Sequence, residues 1–496
     1  MEGKLHSDSN FLLFDNVDAF LRLLYIAFAS SKTSKMGEGG EELMELNHIS
    51  IRIREDIHVS NDNDELLQRI KEKIHPIPSS QCCIYRIPEC LRILSEEAYV
   101  PKIVSLGPFH RDKEGLKAME EHKKWYLHAL LFRTSTPDKC LEDFLTAIQA
   151  MEIQIRASYG EPVNLSSDEF VEMILLDSCF VIELLYNYGR VDLRDDNDPI
   201  YIASWMLSSL KHDIILLENQ LPFFVLNRLF DMIRDPNNGD LLLDEYVQYF
   251  FRDVLPPVEL YKGRFRRQTN HLLDFLRNHF FQFTKQNEEA EYSYEDQRRQ
   301  IEEAEYTYEE QRIECATELS NAGVKFEAAH IADSLLDISF SGNGVFEIPL
   351  FFLDDTVSSL LGNLIALEQC DNDYASYVSS YIILLDSLVM SPKDVRLLRA
   401  EGIIDSFFGD DEHIFHIIKK LSKGTVVSKF YFAGLSHQVN AYYHSGWHKW
   451  RANLTRNYVN TLKRDYFNTP WGIFSFVAAT VLLLLTFVQT LFTILN

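Results

Sequence analysis

Between Trp471 and Leu495 the chain carries no charged residue, and Gln489 is the single strongly polar side chain. Nothing else in the sequence restricts the fold so strongly. As a helix, roughly 25 residues rise about 37 Å, enough to cross a hydrocarbon core of ~30 Å with some tilt. A core helix of a globular domain would be shorter or show a polar face, and this stretch is apolar all round. The reading is a transmembrane anchor at residues 471–495. Lys449, Arg451, Arg456, Lys463 and Arg464 precede it against Asp465 alone, so the bias of basic residues toward the cytosolic side puts the body in the cytosol. Tyr466, Phe467 and Trp471 supply an aromatic edge of the kind found near headgroups. A span at the very end of a chain inserts after translation, so the expected placement is a tail-anchored, single-pass protein of the plasma membrane or endomembranes.

The opposite end gives a poor secretory leader. The stretch "FLLFDNVDAFLRLLYIAF" is interrupted by Asp15, Asp18 and Arg22, with no clear basic region before it and no small-residue cleavage site after it. It reads as an amphipathic helix, or as sequence upstream of a start at Met36. "MGEGGE" from Met36 is no myristoylation signal, because Glu41 stands where Ser or Thr is wanted.

The 496 residues, 46% of them hydrophobic, suffice for a large core. A net charge of −26 argues against nucleic-acid binding, which needs a basic surface for phosphate contacts. Seven scattered cysteines, Cys82, Cys83, Cys90, Cys140, Cys179, Cys315 and Cys370, suggest reduced thiols, and no CxxC pair or histidine at zinc spacing accompanies them.

Residues 1–78 read as an acidic, weakly structured leader, and 79–470 as a helical domain. Leu116, Met119, Tyr126 and Leu130 recur at helical spacing, as do Leu141, Phe144, Leu145 and Ile148. "EFVEMILLDSCFVIELLYNY" and "DIILLENQLPFFVLNRLFDMI" are apolar almost throughout, as helices buried on most sides would be; in the second, Pro222 marks a start or a kink. "GVKFEAA" and "SLLDISFSGNGVFEIPLFFLDD" alternate around "SGNG", whose glycines suit a hairpin turn. "TVSSLLGNLIALEQC" and "YASYVSSYIILLDSLVM" then return to helix. Ahead of the strands, "AEYSYEDQRRQIEE" from Ala290 recurs as "AEYTYEEQRIECA" from Ala304. Residues 288–316 are therefore read as a charged tyrosine-repeat insert, either an exposed helix or disordered, or a partner-docking surface.

Chemistry is harder to find. Gly342-Asn343-Gly344 is turn chemistry and not a phosphate loop. His444 and His448 sit four apart, but Trp447 and Trp450 beside them favour an aromatic, membrane-proximal helix; His413 and His416 near Asp410 and Asp411 are no stronger. Asp177 and Glu183 lie six apart, and Asp213 and Glu218 five apart, so neither pair shares a helix face at ~100° per residue. A charge within an apolar helix is costly unless partnered, so Glu183 or Glu218 is expected to pair with a basic residue such as Arg86 or Arg92. "VPKIVSLGPFH" places His110 just after a Gly107-Pro108 turn; it reads as a cap for the next helix in preference to a general base. The enzymatic alternative is a cross-helix site built from His110, Asp177 and Glu218.

"IYRIPECLRILSEEAYVPKIVSLGPFH", "AMEEHKKWYL", "LLDSCFVIELL", "ILLENQLPFFVL", "ATELSNAGVKF", "FLDD…LGNLIALEQC" and the closing "TPW" occur in that order. The ordered series, from about Ile84 onward, resembles the plant family called domain of unknown function 247; the leader and the tyrosine repeat lie outside the usual core of that family. The resemblance implies a mostly helical, membrane-anchored plant protein with no established activity and no accepted catalytic residues. Some grass members are implicated as pollen-side determinants of self-incompatibility.

The expected fold is therefore mainly α, a multi-helix globular domain with a small β-hairpin or sheet and a C-terminal transmembrane helix. The expected function is a membrane-tethered recognition or signalling module that binds another protein. No catalytic, metal or cofactor-binding residue is assigned; the expected partners are the lipid bilayer and a protein, not nucleic acid.

Overall fold

The computed structural model describes residues 82–254 (apart from 94, 135, 236 and 238), 269–280, 312–329, 334–371, 374–427, 429–445 and 470–495. All fall in the second of the chain's two units, Pro78–Asn496. The leader, the tyrosine repeat through residue 311, the basic flank of the tail, and His448 with Trp447 and Trp450 lie outside them.

Helices dominate, each with a local cause. Helix α1, Ala118–Phe132, buries Met119, Tyr126 and Leu130 on the stripe expected from their spacing. Helix α2, Pro137–Ala157, opens with Pro137 and Asp138, suited to a first turn that has surplus amide donors and a positive dipole end, and buries Phe144, Ile148 and Ile155. Helix α3, Ser167–Gly189, starts at a capping box in which the Ser166 hydroxyl accepts from the Glu169 amide and the Glu169 carboxylate accepts from the Ser166 amide. It is apolar on nearly every side because α1 and α2 pack on it, as do the later helices Phe223–Ile233 and Leu243–Phe250.

The "DIILLENQLPFFVL" run is not one helix. Helix α4, Ser204–Ile214, stops; a 3-10 turn covers Leu217–Asn219; helix α5, Phe223–Ile233, then begins after Pro222. Proline lacks an amide donor and pushes the residue before it out of helical geometry. The carbonyls left open are taken by side chains: Asn219 Nδ2 donates to Asp213 O at 2.9 Å, and Gln220 Nε2 to Ile214 O and Leu216 O at 2.6 and 2.7 Å. Helices α6, Leu243–Phe250, and α7, Leu272–Phe280, complete this half.

The expected hairpin is present. Strands β2, Ser339–Phe340, and β3, Val345–Pro349, are antiparallel, and their turn closes on Gly344 at φ 84°, a left-handed conformation that glycine adopts without steric cost. Strand β1, Lys325–Ala329, flanks β3 in parallel, in phase from Lys325↔Val345. A fourth strand, β4, Phe351–Leu353, leads into helix α8, Asp355–Cys370, which Asp354 caps by accepting the Val357 amide at 2.7 Å. Helix α9, Tyr377–Leu388, and helix α10, Pro392–Ala400, return the chain to β5, Ile404–Ser406, which pairs in parallel with β4. Helices α11, Asp411–Ser422, and α12, Ala433–His444, follow. Helix α8 is the hub of this half, packing against α7, α9 and α11, and it reaches back to α4. All seven cysteines are free.

The tail requires a correction. Helix α13, Pro470–Leu495, forms, and Thr486 and Thr490 turn their hydroxyls back onto Leu482 O and Thr486 O. Among the described residues, however, no helix is long and apolar enough to cross a membrane. The expected transmembrane helix is not supported, and the single-pass membrane localisation drawn from it falls with it. The mainly helical class stands.

Candidate functional site

The segment 101–110, "PKIVSLGPFH", has no regular secondary structure, yet Val104 to Gly107 and His110 are buried. Buried backbone groups need partners, and here polar side chains from the helices supply them. Asp213, at the end of α4, accepts the Lys102 amide on one oxygen at 2.8 Å and the Ile103 and Val104 amides on the other at 2.7 and 2.9 Å. Asn219 accepts the Leu106 amide at 2.7 Å and donates to Val104 O at 3.1 Å. Asp177, on α3, accepts the Gly107 amide at 2.8 Å, and Lys123, on α1, donates to Ser105 O at 2.6 Å. Gly107 sits at φ 69°, and a Cβ there would fall 2.9 Å from the Tyr159 hydroxyl. Glycine is required twice over.

His110 ends this segment. Its Nε2 lies 3.1 Å from Glu218 Oε2, with both side chains sealed from solvent. The cap reading for His110 is corrected: the next helical turn, Glu114–Leu116, has no side-chain cap bond. The reason is proximity to a buried carboxylate, a stronger partner than exposed amide donors. Glu218 also accepts the Ile87 amide at 2.8 Å and is bound by Arg92. Burial alone would push the Glu218 carboxyl up, but His110, the Ile87 amide and Arg92 together hold it below its ordinary range. Of the expected pairings of Glu183 or Glu218 with Arg86 or Arg92, Glu218 with Arg92 is therefore present. Arg86 instead meets Glu161 at 2.7 Å, and Glu183 meets Arg133 at 2.7 Å.

Asp177 belongs to a different cluster. Lys123 Nζ lies 2.6 Å from its Oδ1 and 2.6 Å from Glu120 Oε1. Burial raises the Asp177 carboxyl, with Lys123 offsetting part of the rise. Burial lowers the Lys123 ammonium, but Asp177 and Glu120 outweigh it and carry it above its ordinary value. Glu183 is pushed up to about 7 by burial, against the pull of Arg133. Asp213 and Glu218 occupy separate elements, so their spacing of five was never that of one helix face; Asp213 holds backbone while Glu218 holds Arg92 and His110.

An enzymatic site joining His110, Asp177 and Glu218 required one pocket shared by all three. Two of them meet, the third pairs elsewhere, and, among the described residues, those that line two cavities of 410 and 450 Å3 include none of the three. Among the described residues the arrangement is a set of buried polar clamps that fix an irregular segment against four helical elements. Residues missed from sequence were Lys123 and Asn219. Lys123 had a signal, because it sits four after Met119, three before Tyr126 and seven before Leu130, on the buried stripe of α1. A lysine on that stripe demands an acidic partner.

These clamps sit in the sequence blocks noted above, and comparison with known proteins gives the same blocks a context. The chain is 30% identical over 426 residues to the UPF0481 protein At3g47200 of Arabidopsis thaliana, covering 84% of this chain and 87% of that protein. It is 24% identical over 499 residues to the putative UPF0481 protein At3g02645 of the same plant, covering 84% and 90%. No solved structure matches. The model of the family described as plant protein of unknown function, DUF247, matches residues 84–485, and the chain belongs to that family.

Proposed function

We propose that this protein is a recognition module that binds another protein and turns over no substrate. The observation that supports the reading is the outer face of α1. Trp125 is 57% exposed and Phe132 70%, and they stand seven positions apart, which is close to two full turns, so both rings point out on one side. His122 packs on Trp125 with ring centroids 4.8 Å apart, and His128 on Phe132 at 4.4 Å. Single exposed apolar residues are ordinary. Two large rings, each with an imidazole tilted against it, on a helix whose other face is anchored to α3 form an aromatic platform. Aromatic anchors of this kind carry much of the energy of protein interfaces. The acids and the histidine that chemistry would need are meanwhile engaged in holding buried backbone.

The test is proximity labelling with the full chain in its native tissue, comparing wild type with Trp125→Ala/Phe132→Ala. Exposed positions on a packed helix tolerate the change, so the variant is expected to accumulate normally and lose a defined subset of neighbours. An unchanged neighbour set would sink the proposal.

A further inference from the structure

A cavity of 410 Å3 lies where α4, α8 and α11 converge, a size within the range of small-molecule sites. Its wall carries Lys102, Lys420 and Lys423, each exposed, against two carboxylates, Glu97 and Asp355. Among the described residues no carboxylate lies within ion-pair distance of these three lysines. Lys117 and Lys124 have such partners, Glu114 at 2.5 Å and Glu121 at 2.7 Å, whereas among the described residues exposed Lys325 and Lys393 do not; what sets the cavity apart is that three such lysines share one wall. A local excess of unpaired cations is notable in a chain of net charge −26. The inner wall is of another kind. Leu91, Tyr99 and Ile365 are buried there, together with the imidazole of His212. His212 is itself fixed, with Nδ1 3.0 Å from Asp213 Oδ1, the carboxylate that holds the 102–104 backbone.

We propose that this cavity binds a small organic anion with an apolar body, its head held by Lys102, Lys420 and Lys423 and its body against Leu91, Tyr99 and Ile365. A lysine ammonium is a compact point charge that suits a carboxylate or a phosphate monoester, and a cleft with apolar walls strengthens its attraction. The site shares no residue with the aromatic face of α1, so the two readings stand or fall separately.

The test is calorimetric titration of the full chain with 1-naphthyl phosphate, 1-naphthoate and the neutral 1-naphthalenemethanol. At least one anion is expected to bind, and the neutral compound at least tenfold more weakly; the tighter anion identifies the head group as phosphate or carboxylate. Lys102→Gln/Lys420→Gln/Lys423→Gln is expected to weaken the anion tenfold or more, with Lys325→Gln/Lys393→Gln leaving it unchanged. A second measurement needs no variant. In acetylation footprinting of the wild-type chain, the bound anion should protect Lys102, Lys420 and Lys423 but not Lys325 or Lys393. Failure of both anions to bind, equal binding of the neutral compound, or unprotected lysines would overturn the proposal.

Discussion

Lys123 Nζ on α1 lies 2.6 Å from Asp177 Oδ1 on α3, and the two side chains are 3% and 2% exposed. The ammonium also reaches Ser105 O and Glu120, and the carboxylate also holds the Gly107 amide. A buried pair gives little net stability over apolar replacements, yet removing one partner leaves an uncompensated charge and typically costs about 3–5 kcal/mol. Lys123→Met and Asp177→Asn should each lose that order of stability in urea unfolding of the full chain. The double variant should lose clearly less than the sum. Additive losses would show that the two residues do not act as a unit.

Asp213 accepts three consecutive amides, and Val104 among the donors is fully buried. An unsatisfied buried donor costs about 1–3 kcal/mol, so Asp213→Ala is expected to destabilise by roughly 3 kcal/mol or more. Hydrogen exchange localises the effect. The amides of residues 102–104 should exchange far faster in the variant, while those in the middle of α3 lose protection only in step with global stability. Unchanged exchange at 102–104 would mean that Asp213 is not their acceptor in solution.

Much of this architecture was legible in the sequence. Met119, Tyr126 and Leu130 placed α1 in phase, and "SGNG" placed the hairpin, because periodicity and turn chemistry are local. The cost of an unpaired buried charge called for a basic partner such as Arg86 or Arg92 at Glu183 or Glu218, and of those pairings Glu218 with Arg92, 126 residues away, is the one that formed. The same argument found no route from Glu183 to Arg133, since several arginines satisfied it equally. The clamps were illegible for a different reason. Whether Asp213 holds a cation, another acid or three amides depends on which backbone lies beside it, and the 101–110 segment has no periodicity to announce that it is buried. Pro222 was visible, but the break that it enforces upstream of α5 depends on Asn219 and Gln220 taking over helix carbonyls. The apolar character of the tail was plain from composition, and a helix did form there, but a membrane span did not follow from it.

Gly107 combines a φ of 69° with close approach of the Tyr159 hydroxyl and of Gln220 O, 3.1 Å from where a Cβ would stand. Ala at this position must adopt a left-handed backbone and displace a buried ring. Gly107→Ala is expected to cost about 2–4 kcal/mol, combining ~1–2 kcal/mol from the backbone with the price of overpacking. Gly115, at which an added Cβ meets nothing within 4 Å, is the matched control. Gly115→Ala should be close to neutral in the same thermal melt, and equal losses at the two positions would contradict the close approach.

Glu183 gives a pH signature that can be worked out in sign. Its carboxyl is raised from 4.5 to about 7 in the folded protein, first by burial, with Arg133 opposing. Between those values the folded state keeps a proton that the unfolded state has released, so stability must fall as pH rises. The contribution is fully present below about pH 4.5 and is lost by about pH 7, a change on the order of 3 kcal/mol at ~1.4 kcal/mol per unit. Glu183→Gln removes the titration but keeps the shape. The value of about 7 already contains the pull of Arg133, so losing that pairing in the variant shifts the difference by a constant and not its slope; a window that opens at pH 5, above 4.5, spans only part of the change. The stability difference, variant minus wild type, should therefore rise between pH 5 and 7.5, by less than the full 3 kcal/mol. Urea unfolding of both proteins at intervals across that range measures it directly. A flat difference would mean that the Glu183 carboxyl ionises at the same pH folded and unfolded, and that Arg133 alone offsets its burial.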